Sequence, residues 1–299
     1  MELLSPKDFT DYELMDCGNF EKLERFGKYI TIRPEPQAIW DKKLPNKEWE
    51  KKAHVKFVAK SSSAGNWQKL KEMPEKWNIG YGFKNDDFKL KLSLTSFKHV
   101  GVFPEQAVNW DYIYQSVKEI KKLKSTAGGA GEVRFLNLFA YTGGASLAAK
   151  AAGADVVHVD SIKQVVSWAR ENMDISGLKD IRWVIEDALK FVKREVKRGN
   201  FYHGIILDPP AYGHGPAGEK WKLEENINEM IKEVLQLLDP KQHFLILNTY
   251  SLGFSSIIIE NLLATAVAKP ADLKTGELYL QATSGIKLPL GVFGRFRNF

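Results

Sequence analysis

Apolar runs alternate with amphipathic segments through the last two-thirds of this 299-residue chain. This alternation predicts an α/β fold with a parallel sheet. No helical pattern separates the last two β-prone runs, which predicts a C-terminal antiparallel hairpin, and short β-prone runs with Pro, Gly and Asn between them precede residue 98. The predicted fold is a Rossmann-like, seven-stranded sheet over residues 99–299, with a small β-rich domain over residues 1–98.

The first domain is predicted from runs such as residues 29–32 and 88–94, which are rich in β-formers and bounded by turn residues. After Pro104, apolar residues recur at helical spacing from residue 105 to residue 123. A glycine-rich run at residues 128–131 then interrupts the pattern. We therefore expect a helix that leads into the second domain.

The second domain is predicted from buried apolar runs and the amphipathic segments between them. Strands are expected near residues 133–139, 155–160, 181–186, 203–208 and 243–249. Helices are expected at residues 144–152, 163–176, 187–198 and 222–238, with another after Ser255. Residues 277–282 and 291–296 form the hairpin strands. Such alternation predicts right-handed crossovers and a doubly wound sheet.

Several classes of protein are excluded by composition. The N-terminus has no basic and apolar leader, and no run approaches the roughly 18 apolar residues of a membrane span, so we expect a cytoplasmic protein without a membrane contact. Cys17 is the single cysteine, and the six His residues show no paired ligand spacing. No disulfide and no metal is therefore expected, whereas the oligomeric state is left open.

Positive charge is concentrated in residues 40–98. This stretch holds fourteen Lys against seven Asp or Glu, an excess of 14 − 7 = +7, while the net charge of the whole chain is +6. Four of the eight Trp residues lie in the same stretch. A basic, aromatic-rich surface is typical of nucleic-acid binding, although a solvated lysine surface over an aromatic core would have the same composition.

A turn of small residues joins the first strand of the sheet to the helix after it. The turn and the strand end contain Asn137, Ala140, Tyr141, Thr142 and Gly143. Such a turn lets the backbone approach a ligand and directs helix N-terminal N–H groups at it. A tight strand-to-helix turn without a ligand is the alternative, because the pattern is not GxGxxG.

Two acidic residues follow the next two strands. Asp160 ends the second strand and is followed by Ser161, close to the position at which an acidic residue holds ribose hydroxyls. Asp187 follows the third strand and precedes Ala188, where a carboxylate would accept the adenine amino hydrogen. Either residue could instead cap the following helix. Together at one sheet edge they favour an adenosine ligand.

The most specific signal is the sequence Asp-Pro-Pro-Ala-Tyr at residues 208–212. Two prolines fix φ and remove N–H donors, so the turn presents the Asp208 carboxylate and the Pro209 carbonyl as acceptors. Tyr212 adds an aromatic face beside them. Acceptors of this kind suit an N–H of a planar base stacked on the ring. A purely structural Pro-Pro turn is the alternative.

In this order and spacing, these motifs resemble the class I S-adenosylmethionine-dependent methyltransferases, and most of all the bacterial group related to large-subunit ribosomal RNA methyltransferases. Residues 97–106 are also similar to a segment that closes over the cofactor in that group, which singles out Phe103 and Gln106. The resemblance implies that Gly143 and its neighbours face the methionine part of S-adenosylmethionine. It likewise implies that Asp160 faces the ribose, Asp187 the adenine, and residues 208–212 the acceptor.

One departure from the family bears on the chemistry. Some relatives methylate carbon 5 of cytosine through a cysteine placed just after the fifth strand, where this chain has no cysteine at residues 247–253. We therefore expect methylation of a base nitrogen in RNA, ribosomal RNA above all, with Asp208, Pro209 and Tyr212 at the acceptor. The alternatives are a methyltransferase for a protein or small molecule, and a nicotinamide-dependent oxidoreductase, which the missing GxGxxG disfavours.

Overall fold

A computed structural model gives the structure of residues 1–60, 64–126, 131–250, 253–267 and 272–299, and the statements below refer to these residues. Two predictions fall partly on other positions. These are the glycine-rich interruption, of which residues 128–130 lie outside the described residues, and the segment after the fifth strand, of which residues 251 and 252 do.

In residues 133–299 the helices and strands follow one another in the predicted order, apart from a short hairpin at residues 212–222 that the sequence patterns do not predict. Within the described residues the strands are β1 (Glu2–Leu4), β2 (Tyr12–Gly18), β3 (Glu21–Phe26), β4 (Tyr29–Pro34), β5 (Val55–Ala59), β6 (Gly65–Lys69), β7 (Lys76–Gly82), β8 (Asp87–Ser93), β9 (Arg134–Leu138), β10 (Asp155–Asp160), β11 (Ile181–Ile185), β12 (Gly204–Leu207), β13 (Tyr212–His214), β14 (Lys220–Lys222), β15 (His243–Thr249), β16 (Lys274–Gln281) and β17 (Lys287–Asn298). The helices are α1 (Asn46–Lys52), α2 (Ala107–Thr126), α3 (Gly144–Ala151), α4 (Lys163–Ile175), α5 (Ala188–Lys197), α6 (Leu223–Leu235) and α7 (Ser256–Ala266), with a 3-10 turn at Pro104–Gln106.

The chain divides into two compact units. The N-terminal unit comprises Ser5–Ala107 and Tyr279–Leu290. The sheet unit comprises Met1–Leu4, Val108–Leu278 and Gly291–Phe299. The predicted segments, residues 1–98 and 99–299, have simpler boundaries than these units, and the division into folding domains stays a prediction.

The N-terminal unit is β-rich, as predicted. Strands β2 to β6 form one sheet in sequential order, and β7 pairs with β8 as a separate hairpin. Leu23, Ile32, Trp49 and Ala53 form a buried core cluster between the sheet and α1. The tip of the β16–β17 hairpin also belongs to this unit, because the backbone N–H of Thr283 donates to the carbonyl of Leu14 over 2.9 Å.

The sheet unit holds an eight-stranded sheet in the order β1-β16-β17-β15-β12-β9-β10-β11. Strands β15, β12, β9, β10 and β11 run parallel, and β17 runs antiparallel to β15. The predicted seven-stranded sheet and its C-terminal hairpin are confirmed. The eighth strand, β1, is parallel to β16, with Glu2 opposite Gly276, and was not predicted.

Apolar residues of the sheet interior and of its covering helices form one large buried cluster. Among its members are Leu136 and Leu207 from the central strands and Phe191 and Met230 from α5 and α6. This burial explains why the central strands are continuously apolar rather than alternating. Among the described residues, none of the helices combines the length and the apolar composition of a membrane crossing.

Candidate functional site

The carboxyl edge of the parallel strands is where the predicted site residues meet. Strand β9 lies between β10 and β12, while the chain runs from β9 to β10 and β11 before it returns to β12 on the other side. The strand order therefore reverses between β9 and β12. Ligands of open α/β sheets bind in the crevice at such a switch point, outside the carboxyl ends of the strands.

The turn after β9 has an unusual backbone. Phe139 (φ 57°) and Tyr141 (φ 50°) lie in the left-handed region, as does Gly143 (φ 90°). Bulky residues adopt this conformation only where the surroundings enforce it. Here the N–H of Ala140 donates to the carbonyl of Val159 over 3.1 Å, and the N–H of Gly143 donates to the carbonyl of Ala140 over 3.0 Å. These hydrogen bonds hold the turn in this shape.

Buried polar side chains form a hydrogen-bond network next to this turn. Asn137 Nδ2 donates to Ser146 Oγ over 2.9 Å, and Ser146 Oγ lies 3.0 Å from His158 Nδ1. Burial lowers the pKa of His158 to about 3, so its ring is neutral. From α4, Asn172 Nδ2 donates to the carbonyl of Thr142 over 2.9 Å. Asn137 thus uses its amide N–H inside the protein, and the cofactor contact predicted for it stays a prediction.

The Asp160 carboxylate accepts hydrogen bonds from the backbone of the turn after β9 and from the backbone just before α4. Its Oδ2 accepts from the N–H of Tyr141 over 2.9 Å, and its Oδ1 accepts from the N–H of Ile162 over 2.9 Å. Burial raises the pKa of Asp160, while these hydrogen bonds act in the opposite direction. Each carboxylate oxygen can accept more than one hydrogen bond, so ribose hydroxyls can still be bound. The next residue, Ser161, donates its hydroxyl to the carbonyl of His214 over 3.2 Å.

Asp187 lies between β11 and α5, directly before Ala188. Its Oδ1 accepts from the backbone N–H of Lys190 over 2.9 Å, and Asp187 is the N-cap residue of α5. The capping role that the sequence left open is therefore realised. The second carboxylate oxygen is left for another donor, and the adenine contact predicted for Asp187 and Ala188 stays a prediction.

Asp208 follows β12 and lies beside Asn248 of β15. Asn248 Nδ2 donates to Asp208 Oδ1 over 2.8 Å, while Asn248 Oδ1 is buried and has no hydrogen-bond partner among the described residues. Burial raises the pKa of Asp208 to about 6, and the hydrogen bond from Asn248 acts against this rise. A buried, unpartnered acceptor is costly unless a ligand supplies a donor. Of this pair, Asn248 is buried, and the partly exposed Asp208 side chain presents its carboxylate at the edge of the sheet.

Asn248 was missed by the sequence analysis. The apolar run of residues 244–247 was interpreted only as a buried strand, although it ends in Asn248 and Thr249. Polar residues that end a buried strand next to a strand-end carboxylate are the signal that could have revealed it. Ser146, His158 and Asn172 were missed for a similar reason, because their roles depend on contacts between different elements.

Three further predicted site residues, Tyr212, Phe103 and Gln106, lie outside the strand ends described above. Tyr212 begins β13 and is 54% exposed. Phe103 and Gln106 belong to the N-terminal unit, where Gln106 lies in the 3-10 turn and the Phe103 ring centroid is 5.1 Å from that of His99. The cofactor contacts predicted for Phe103 and Gln106 stay predictions.

A family model for S-adenosylmethionine-dependent methyltransferases matches residues 55–268. The chain belongs to this methyltransferase family. Its cofactor is S-adenosylmethionine, as predicted. The family match also excludes the nicotinamide-dependent oxidoreductase that the sequence left as an alternative.

This methyltransferase is similar to a SAM-dependent methyltransferase from Agrobacterium tumefaciens, with 34% identity, a TM-score of 0.90 and 100% of this chain and 94% of that chain covered. It shares its fold with the methyltransferase SMU.776, solved with SAH, with 16% identity, a TM-score of 0.68 and 97% and 76% of the two chains covered. It is 28% identical over 199 residues to ribosomal RNA large subunit methyltransferase K/L from Shewanella frigidimarina, covering 65% of this chain and 25% of the relative. The methyltransferase thus spans about a quarter of the length of the curated relatives it matches.

The residues at the sheet edge fit this cofactor. Helix α3 begins at Gly144 without a side-chain cap, so its first N–H groups can bind a carboxylate. Asp160 and Asp187 at the next two strand ends are carboxylates, the type of acceptor that ribose hydroxyl and adenine amino hydrogens require, and their contacts with the cofactor stay predictions. Cys17, by contrast, is fully buried, and burial raises the pKa of its thiol to about 12. A thiol in this state is a poor nucleophile.

Proposed function

We propose that this methyltransferase transfers a methyl group from S-adenosylmethionine to a nitrogen of an RNA base, with ribosomal RNA as the substrate. The observation that carries the proposal is the Asp208 carboxylate at the end of β12, which accepts a hydrogen bond from Asn248 of β15. The relatives named as ribosomal RNA large subunit methyltransferases support the choice of RNA. We propose a cytoplasmic location on the same ground, because ribosomal RNA is found there.

The turn at Asp208 selects an acceptor that carries hydrogen on nitrogen. Pro209 and Pro210 have no backbone N–H, and the carbonyl of Pro210 is already bound by Trp221 Nε1 over 2.7 Å. In this proposal the Asp208 carboxylate and the Pro209 carbonyl are the acceptors at the edge. An amino group or ring N–H of a base satisfies such acceptors, whereas a substrate without N–H leaves them unpaired.

When bound, S-adenosylmethionine supplies a methyl group on a positively charged sulfur. Transfer to the acceptor nitrogen would leave the electron pair of the carbon–sulfur bond on sulfur and would place a positive charge on the nitrogen, so a group of the protein has to take its proton. Asp208 orients the nitrogen and accepts its proton, which later passes to solvent. A carboxylate with a pKa of about 6 is mostly ionised at neutral pH and still basic enough to take that proton. The rigid edge contributes by positioning the two reactants.

The N-terminal unit contributes RNA affinity in this proposal. Lys51 and Lys52 end α1 and are exposed, and Lys71 Nζ donates to the carbonyl of Lys52 over 3.1 Å, which caps the helix. Reversing the charge of Lys51 and Lys52 should weaken RNA binding. The slope of log affinity against log salt should fall by about one unit for each phosphate that the variant no longer neutralises. An unchanged slope would assign both lysines to ordinary surface.

The test of the acceptor site is single-turnover methylation of ribosomal RNA by Asp208→Ala, Tyr212→Ala and Tyr212→Phe, with cofactor affinity measured in parallel. We expect Asp208→Ala to lose turnover and keep cofactor affinity, because the adenosine contacts lie on other strands. We expect Tyr212→Ala to lose far more activity than Tyr212→Phe if the ring stacks on the base.

Near wild-type turnover in Asp208→Ala would remove this residue from the mechanism. Equal losses in both tyrosine variants would replace stacking by a role for the hydroxyl, which lies 3.0 Å from His214 Nε2. Methylation of a protein or small molecule in place of RNA would overturn the choice of substrate.

A further inference from the structure

A short hairpin follows the Asp-Pro-Pro turn, formed by β13 and β14. Tyr212 lies opposite Lys222 and His214 lies opposite Lys220. Because side chains alternate along a strand, these four residues share one face and the residues between them share the other. Tyr212, His214, Lys220 and Lys222 are all exposed, whereas Trp221 between the two lysines is only 6% exposed.

The buried face fixes the hairpin to the acceptor turn. Trp221 donates from Nε1 to the carbonyl of Pro210 over 2.7 Å, and its ring centroid lies 4.9 Å from that of Phe139 in the turn after β9. The N–H of Leu223 donates to the carbonyl of Ala211 over 3.0 Å. The hairpin is therefore a fixed extension of the residues that we place at the acceptor.

The tip of the hairpin is held at two further points. The hydroxyl of Ser161, just after β10, donates to the carbonyl of His214 over 3.2 Å. Lys190 of α5 forms an ion pair with Glu219, whose carbonyl accepts from the N–H of Gly215 over 2.8 Å. These contacts keep the exposed face in place along the carboxyl edge of the sheet.

The exposed face combines two rings with two cations. The rings of Tyr212 and His214 meet edge to face with centroids 5.0 Å apart. Lys222 pairs with Glu225 over 2.8 Å in an exposed ion pair of little strength, and Lys220 has no ion pair within the part of the chain that the structure describes. The four side chains include no carboxylate. Rings that stack on bases beside cations that bind phosphates are how single-stranded nucleic acids are held.

We infer that this hairpin face binds the single-stranded RNA segment that flanks the target nucleotide, with His214 stacking on a base and Lys220 and Lys222 binding backbone phosphates. The inference rests on the proposed function, since it places the flanking RNA beside the acceptor turn. It adds to the lysines of the N-terminal unit a second basic surface, attached to the acceptor turn itself. An acidic protein could also pair with the lysines, but it has no bases that would stack on the rings of Tyr212 and His214.

The test compares His214→Ala, Lys220→Glu and Lys220→Arg in the full chain. Lys232→Glu, which makes the same charge change at an exposed site on α6, is the matched control. Two probes are titrated by fluorescence anisotropy over a range of salt, a labelled 20-nucleotide oligouridylate and labelled polyglutamate. S-Adenosylmethionine affinity verifies that each variant is folded.

We expect Lys220→Glu to weaken oligouridylate binding by roughly threefold or more and to lower its salt slope by about 0.7, the value for one single-strand phosphate that is no longer neutralised. Lys220→Arg and Lys232→Glu should bind as wild type does. His214→Ala should weaken binding of oligouridylate and leave binding of polyglutamate unchanged, because only the RNA has bases to stack. In methylation of ribosomal RNA, Lys220→Glu should raise KM more than it lowers kcat.

Equal effects of Lys220→Glu and Lys232→Glu would overturn the inference, as would equal effects of His214→Ala on both probes, which would make the face a general polyanion surface. These failures differ from failure of the proposed function. In the latter case the wild-type protein binds S-adenosylmethionine yet methylates no RNA, whereas an inert hairpin would leave RNA methylation by the wild type intact.

Discussion

Replacing Asp208 by Asn should make the protein more stable at neutral and alkaline pH while it removes activity. The asparagine has nearly the same shape and its oxygen can still accept from Asn248 Nδ2. It has no charge to bury. Wild-type Asp208, by contrast, must carry a charge in a desolvated position once the pH exceeds its pKa of about 6.

The size of the effect follows from the two pKa values. An unperturbed aspartate has a pKa of 3.8, so between pH 3.8 and about 6 the folded state holds more protons at Asp208 than the unfolded state does. The free energy of unfolding therefore falls as the pH rises through this window. Above pH 6 the free energy of unfolding is lower by about 3 kcal/mol in all. This value is the pKa difference, 6 − 3.8 = 2.2, multiplied by about 1.36 kcal/mol for a pKa difference of one. Asp208→Asn avoids this loss.

Urea denaturation of both proteins at pH 5 and pH 8 measures the effect. The stability advantage of Asp208→Asn over wild type should be larger at pH 8 than at pH 5 by about 1 kcal/mol. The reason is that the last part of the loss due to ionisation of Asp208 occurs between these two pH values in the wild type. Asp174→Asn, the same change at an exposed position on α4, is the control and should show no such difference. An advantage that is equal at both pH values would refute the buried charge at Asp208.

The remaining predictions concern the cofactor and the chemistry. Asp160→Ala should weaken S-adenosylmethionine binding by roughly 1 to 3 kcal/mol in calorimetry, because hydrogen bonds to a charged acceptor are removed; unchanged affinity would place the ribose elsewhere. Asn248→Ala should move the acid limb of the single-turnover pH–rate profile upward from about pH 6, because the hydrogen bond that lowers the pKa of Asp208 is removed. The isosteric change Thr249→Val should leave that limb in place, and a shift in both variants would argue for a general effect on the strand end. Cys17→Ser should keep turnover within a few-fold, since no thiol adduct forms, and a trapped complex with 5-fluorocytosine RNA that depends on Cys17 would contradict nitrogen methylation.

Most of the fold was predictable because the patterns that specify it are local. The five parallel strands are apolar because both of their faces are covered, and the helices between them have one apolar face, so each is visible in a short window of sequence. Helix α3 was predicted at residues 144–152 and is observed at Gly144–Ala151. Strand β1 could not be predicted this way, since its three residues pair with β16 at the far end of the chain.

The site was predictable where chemistry lies at strand ends, and less so where it depends on contacts between elements. Asp160 and Asp208 stand at the predicted edge. The β13–β14 hairpin was missed because its strands have only three residues each, and the five residues between them include two Gly and one Pro. What orders it is the burial of Trp221 against Phe139, a contact between segments more than 80 residues apart in the sequence.

Nitrogen methylation of ribosomal RNA is tested by methyl transfer from isotope-labelled S-adenosylmethionine to purified ribosomal RNA, followed by digestion and mass mapping of the labelled nucleoside. We expect one labelled nucleoside with the methyl group on a base nitrogen, and no label after reaction with Asp208→Ala. Label on a base carbon, on ribose or only on protein, from an enzyme that binds the cofactor normally, would contradict the proposed reaction.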